Sequence, residues 1–533
     1  MKKGNGKGFT LENYGKKSAF ASFLPGISGR KGIPVWCCYV NRGQAVVSFG
    51  AEDKDHSIME FYPAHQAYQN VKLTGFRTFL RVDGKYAEPF GDTDVPHTMT
   101  IEKNSLRIQE SNPDTAIDTA VCYFTLPMES VGALVRKVTF TNTADRVEEL
   151  EVLDGMPALV PYGVGTDSLK KMGQTIKAWM QVEYAAEEVP CFRARVSVED
   201  TAVVTEVSGC NFSMAVNDRG ERLRVVVDPE TVFAYDNSLQ RAVSFQKKGL
   251  EGVFDGRQAL SNQYPCSFFG EKRLLSPGES MTLYEMTGQV GEREILERFL
   301  KQTVTPEYFE KKAQEAEALA EDLCHVIETN TADADFDEYC SRTYMDNALR
   351  GGYPIKLPDN RIFYLYSRKH GDLERDYNYF HMLPEYFSQG NGNFRDINQN
   401  RRMDNFFTPY VGRENIRKFY SMIQLDGYNP LDVKEVTYTL DEESVEEIFD
   451  ALSQEQKEEL MVHLTDSFTP GGFYRKLEEL EIADEDRQDT FFAEVMERAA
   501  ENLNADFGEG YWCDHWTYNL DLIESYLAVY PEK

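Results

Sequence analysis

Long apolar runs are missing from this 533-residue chain: nowhere do roughly 18 uncharged apolar residues follow one another, the length a membrane-crossing helix needs. The basic start, MKKGNGKGFTLENYGKK, leads into no apolar stretch of the kind a secretory leader carries. Both absences point to a cytoplasmic protein, and the sequon at Asn211 to Ser213 is then an accident of composition. Metal-ligand spacing is absent too. The nine cysteines (37, 38, 122, 191, 210, 266, 324, 340 and 513) are odd in number and form no CxxC pair, so buried free thiols are expected. The eight histidines show no HExxH spacing, and no metal is expected. The early GNGKG lacks the flanking strand and the Lys-Ser/Thr of a phosphate loop. Positive charge is scarce, with 57 Lys and Arg against 88 Asp and Glu, a net −31 that repels nucleic acid and anionic membranes. A neutral substrate suits it better.

What the chain does have is enough apolar and aromatic material, 41% and 12%, to bury sizeable cores in about two to four domains. From residue 1 to 290 short runs rich in Val, Thr, Tyr and Phe are broken by Gly, Asn, Asp and Pro. Val138 and Phe140 alternate with Thr139 and Thr141, Leu150 and Val152 with Glu149 and Glu151, and Leu223, Val225 and Val227 with Arg222 and Arg224. A period of two with one wet face predicts antiparallel sheet, most economically a large β-sandwich.

The period then changes to 3.6. Thr305 and Pro306 predict a cap and first turn, followed by Ala316, Leu319, Ala320, Leu323 and Ile327, so residues 291–334 read as a helical linker. A helix with Phe336, Tyr339, Cys340 and Thr343 on one face should stop at Gly351 and Gly352. From 335 to 533 helices alternate with polar, aromatic loops, and about 436–503 forms an acidic helical insertion with a capping box predicted at Ser444 and Glu447.

One stretch carries most of the chemistry. Gly390 to Asp404, GNGNFRDINQNRRMD, packs three arginines, two aspartates and four asparagines into fifteen residues of an acidic protein. Guanidinium forks, carboxylates and carboxamides each present two hydrogen bonds in a plane, matching the adjacent hydroxyls of a pyranose. The bland alternative for Arg395 and Asp396 is an ion pair bracing helix ends; for Arg401, Arg402 and Asp404 both readings stay open. Arg350, Arg361, Arg368 and Arg375, with Asp372 and Asp376, line the same cavity or pair at the surface.

NFRDINQNRRMD resembles the YRDxxQD signature of the inverting phosphorylases related to cellobiose phosphorylase, in glycoside hydrolase family 94 and the allied β-glucan phosphorylase families. GIPVWCCYVNRGQAVVSFG (Gly32 to Gly50) and EELEVLDGMPALVPYG (Glu148 to Gly163) resemble that group's N-terminal β-sandwich. WCDHWTYNLDLIESYLAVYP (Trp512 to Pro531) is similar to a barrel helix following the signature. The resemblance implies a mutarotase-like supersandwich, a helical linker and an (α/α)6 barrel. It also implies phosphorolysis of β-linked gluco-oligosaccharides with inversion, giving α-glucose 1-phosphate. Inorganic phosphate is then the co-substrate, no other cofactor is needed, and a homodimer through the β-sandwich is implied.

Carried over by position, Arg395 and Asp396 match the pair that in the family holds the glucosyl unit, and Gln399 matches the signature glutamine. The final aspartate is replaced by Asn400, which points away from a cellobiose enzyme toward β-1,2 or β-1,3 linkages. Arg401, Asp404 and Trp512 complete the expected substrate-binding set. A six-hairpin barrel needs roughly 350 residues, whereas Asp335 to Lys533 supplies 199, so an incomplete barrel is expected; the resemblance places the general acid after the helix that Trp512 to Pro531 resembles, which implies an acid beyond Lys533. An inactive fragment is then expected. The in-chain rival for the acid is Asp514, beside His515 between Trp512 and Trp516, where aromatic walls raise a carboxyl pKa; the alternative is simple core packing. An inverting hydrolase and a non-catalytic carbohydrate-binding or subunit protein are the competing functions.

Overall fold

The computed structural model describes residues 2–3, 8–185, 188–198, 202–369, 373, 380–482, 484–508 and 513–533. Trp512, Asp372, Arg375 and Asp376 lie outside these residues. The chain divides into two compact units: Met1–Ser28, Ile33–Ala318 and Gly371–Tyr379 form the first, and Gly29–Gly32, Leu319–His370 and Phe380–Lys533 the second.

The first unit is mostly antiparallel β. A ten-stranded sheet has strands Ile117–Thr125, Gly132–Asn142 and Ser280–Val290 at its centre, and sheets of five and four strands accompany it. Alternation does its expected work along Gly132–Asn142, where Val138 and Phe140 are buried and Thr139 and Thr141 only half so. Those residues share a core with Leu150 and Val152 of the five-stranded sheet and Tyr39 and Phe49 of the four-stranded one. At roughly 1.5–3 kcal/mol per buried large apolar side chain, this packing dominates the unit's stability. The run Leu223 to Val227 keeps only a two-residue strand, Val225–Val226. Asn211 is sealed in the strand Cys210–Asn217, donating to the Val160 carbonyl at 2.7 Å, so its sequon is inaccessible.

Helices Arg293–Phe299 and Pro306–Cys324 occupy the stretch read as a linker. Thr305 caps the second through its hydroxyl, which accepts from the Tyr308 N–H at 3.3 Å. Leu296, Phe299, Phe309 and Ala316 bury themselves with Phe212, Tyr284 and Met286 of the ten-stranded sheet, so these helices form a packed layer on it. Six of the nine cysteines are buried, and all nine are free thiols. No described helix is long and apolar enough to cross a membrane.

In the second unit the helix Ala334–Gly351, capped by Asp333, buries Tyr344, Met345, Ala348 and Leu349. The stripe Phe336, Tyr339, Cys340 and Thr343 expected to face inward does not, since Phe336 and Tyr339 are 50% and 66% exposed. The same helical spacing fits two faces of this helix, and packing rather than period chose between them. Helix Phe394–Arg401 packs against Ala334–Gly351, Glu414–Ser421 and Asp514–Val529.

The acidic insertion is a module of four helices, Glu442–Ile448, Gln454–Asp466, Pro470–Glu479 and Glu485–Arg498. Its ends are closed by a two-stranded ladder pairing Thr437 with Asn502 and Thr439 with Ala500. The predicted capping box is displaced: Asp441 caps the first helix by accepting from the Ser444 N–H, and the reciprocal box belongs to Ser453 and Gln456 on the second. Asp441 stands three residues before Ser444 and takes the cap because an ionised carboxylate is the stronger acceptor at a helix N-terminus.

Candidate functional site

The helix Phe394–Arg401 sorts its residues by the 3.6 period. Phe394, Ile397, Asn398 and Arg401, at i, i+3, i+4 and i+7, are buried. Arg395, Asp396, Gln399 and Asn400 therefore fall on the outward side. At and beyond its end, Gln399, Asn400, Arg402 and Asp404 line a hollow of about 140 Å³. Tyr344, Asn347 and Ala348 of the helix Ala334–Gly351, and Phe407, also line it.

Three of the polar groups there are held in place. The Asn400 Nδ2 donates to the Asp396 carbonyl at 2.6 Å, leaving its Oδ1 for the hollow. Arg402 is fixed by the Asp521 carboxylate at 2.8 Å. The Asp404 Oδ2 accepts from the Tyr364 hydroxyl at 2.7 Å and the Asn415 Nδ2 at 3.1 Å, while Oδ1 stays uncommitted. Burial pushes the Asp404 carboxyl up to about 7, against the opposing pull of the Tyr364 hydrogen bond and the Arg401 charge. Tyr344 and Phe407 meet edge to face with ring centroids 5.5 Å apart, an apolar surface of the sort a sugar ring rests on. Gly352 lines the hollow at φ +93°, and a Cβ there would come within 2.7 Å of the Tyr364 Cβ, so only glycine fits.

The remaining sequence-predicted residues stand elsewhere. Arg395 and Asp396 pair with each other at 3.1 Å and are 46% and 37% exposed, one turn before the hollow and not in its wall. Asp514 lies 4.0 Å from the Arg395 guanidinium and is equally open. His515 is buried against the Phe394 ring, and burial holds its pKa below the ordinary value. Arg401 points inward, its guanidinium 3.6 Å from the Tyr364 ring centroid. Arg350 pairs with Asp346 one turn earlier, Arg361 with Asp359, and Arg368 is buried, its pKa pushed down to about 10; none lines the hollow.

Tyr344, Asn347, Tyr364 and Asn415 are the residues that sequence reasoning missed. Asn347 alone carries a local signal, a carboxamide between the buried Met345 and Ala348 of a helix. The tyrosines read as ordinary core.

No protein-family model and no curated protein matches this sequence. Among solved structures the chain is similar to a bacterial glucoamylase complexed with acarbose, at 9% identity over 89% of this chain and 65% of that one, with a TM-score of 0.38. It is also similar to a putative kojibiose phosphorylase from human microbiome, at 6% identity, 78% and 44% coverage and a TM-score of 0.30. A putative aldose 1-epimerase from Escherichia coli K12 aligns at 10% identity, covering 51% of this chain and 99% of its own, with a TM-score of 0.25. The chain thus spans less than two thirds of the glucoamylase and less than half of the phosphorylase. Likeness this distant carries no activity from those proteins to this one.

Proposed function

We propose that the hollow beside Asp404 binds one glucosyl unit of a β-linked gluco-oligosaccharide, and that the chain serves an inverting phosphorolysis releasing α-glucose 1-phosphate. The observation that carries this reading is the lining itself: Gln399, Asn400, Arg402 and Asp404, from one continuous stretch, share a hollow of about 140 Å³ with Tyr344 and Phe407. A cavity of ~150 Å³ takes up a benzene-sized ring, so one six-membered ring fits and an oligosaccharide would extend outward. Planar amide, guanidinium and carboxyl groups opposite an aromatic surface suit a pyranose, which is polar at its edge and apolar on its face.

The count of carboxyls favours phosphorolysis over hydrolysis. An inverting hydrolase needs an acid and a base about 6.5–9.5 Å apart, and among the described residues Asp404 is the one carboxyl in the hollow's wall. Inorganic phosphate attacking the anomeric carbon needs no base, and a single proton donor completes the step by protonating the departing glycosidic oxygen. Asp404, protonated near neutrality and anchored through one oxygen, suits that role within the chain, in place of the acid expected beyond Lys533 and of the inactive fragment that expectation implied. In this reading the helices of the second unit are the opening part of an (α/α)6 barrel, the first unit its supersandwich, and a homodimer forms through that sandwich. The protein is then cytoplasmic.

The test is release of α-glucose 1-phosphate from β-1,2-, β-1,3- and β-1,4-linked glucobioses and trioses with and without phosphate. Phosphate-dependent release, reduced at least ~100-fold by D404N, is the expected result. Release that ignores phosphate, or survives in D404N, contradicts it.

A further inference from the structure

A smaller cavity of about 30 Å³ lies on the buried side of the same helix, walled mainly by Phe363, Ile397, Phe419 and Val433. A water needs roughly 10–15 Å³ by this measure, so the space holds one or two waters or a single ion. Arg401 enters this apolar enclosure and is itself only 9% exposed. Its Nε donates to the Gly351 carbonyl at 2.5 Å and its Nη2 to the Ser367 Oγ at 3.0 Å. Both partners are neutral, and the Tyr364 and Phe419 rings flank the rest of the guanidinium.

The other cations at the cavity differ. Lys418 meets Glu501 at 2.7 Å and Glu414 at 3.3 Å, and Lys434 meets Asp506 at 2.8 Å. Among the described residues no carboxylate meets Arg401 within 4.0 Å; the Asp404 and Glu414 carboxyls act on it from farther off. A buried guanidinium with no carboxylate in direct contact is costly, and such groups are ordinarily paired. The surrounding amide is already committed: Gln389 donates to the Tyr364 carbonyl at 2.7 Å and accepts from the Val436 N–H at 3.0 Å. The Ser367 hydroxyl accepts from Arg401, and its own hydrogen remains available.

We infer that this cavity is a binding site for a small monovalent anion of chloride size, held between the Arg401 guanidinium and the Ser367 hydroxyl. The volume excludes phosphate, sulfate and carboxylates, so the site is distinct in chemistry from any that takes up a phosphate co-substrate. It stands on the cavity and its charge alone, independently of the sugar reading.

The test uses the full chain, chloride and bromide. In ³⁵Cl NMR the wild type should broaden the chloride line, bromide should reverse the broadening, and R401Q should abolish it. At constant ionic strength kept with gluconate, which cannot enter, chloride from 1 to 100 mM should raise the wild-type Tm by about 2–4 °C and leave R401Q unmoved. No excess broadening with the wild type shows that the cavity holds water only and overturns the inference. Equal broadening by folded R401Q places the ion elsewhere and overturns it too. Should R401Q fail to fold, a bromide-soaked wild-type crystal decides: an anomalous peak beside Arg401 supports the site, and an empty cavity overturns it.

Discussion

Asp404 keeps its proton far above the ordinary aspartate range, near pH 7, because protein encloses it and its two hydrogen-bond donors only partly compensate. A carboxyl whose folded pKa exceeds its unfolded value of about 3.9 favours folding below pH 4, and that contribution is lost as pH rises through 7. D404N cannot ionise. Wild type should therefore lose stability relative to D404N between pH 4 and pH 8, by up to about 4 kcal/mol in urea unfolding. Parallel pH profiles for the two would show that Asp404 titrates normally. A second residue-scale prediction concerns Arg136, 1% exposed, which joins Asp154 and lies 3.4 Å from Glu285 within the first unit. Burial drives the Glu285 carboxyl well upward, so one guanidinium balances one carboxylate there. R136M strands Asp154 uncompensated and should cost about 3–5 kcal/mol; a loss below about 1 kcal/mol would mean the network relaxes.

At the scale of elements, the local code was legible wherever a side chain's fate depends on its immediate neighbours. Val138 and Phe140 alternate as their strand requires, and Thr305 and Pro306 start a helix where the cap rules place one. Legibility failed where two local solutions compete. Asp441 displaced Ser444 as a cap, and Ala334–Gly351 buried Tyr344 and Ala348 in place of Phe336 and Tyr339. The box that does form, Ser453 with Gln456, satisfies two helix-end donors. S453A should lower unfolding stability by about 1 kcal/mol; no change would mean the module's helix is fixed by packing alone. The hollow shows the same limit. Gln399, Asn400 and Asp404 were visible because one motif holds them, whereas Tyr344 lines the hollow from a separate helix and Tyr364 and Asn415 act only through Asp404, from other elements.

For the molecule as a whole, composition set the class and charge distribution adds a consequence. Residues 437–502 hold 20 Asp and Glu against 5 Lys and Arg, a net −15 of the chain's −31. Self-repulsion on that scale opposes the compact state and is screened within about 10 Å at 0.1 M salt. Raising ionic strength from 10 to 150 mM with sodium gluconate should therefore raise the Tm; a flat response would mean that the acidic side chains are locally compensated. The proposed function rests on the hollow lined by Asn400, Tyr344 and Phe407 taking one glucose ring. Calorimetric titration of β-linked glucobioses into wild type and N400A tests it most directly. The expected result is saturable 1:1 binding to the wild type that weakens at least ~10-fold in N400A, the loss of about 1.4 kcal/mol. No binding to the wild type, or binding that N400A leaves untouched, would contradict it.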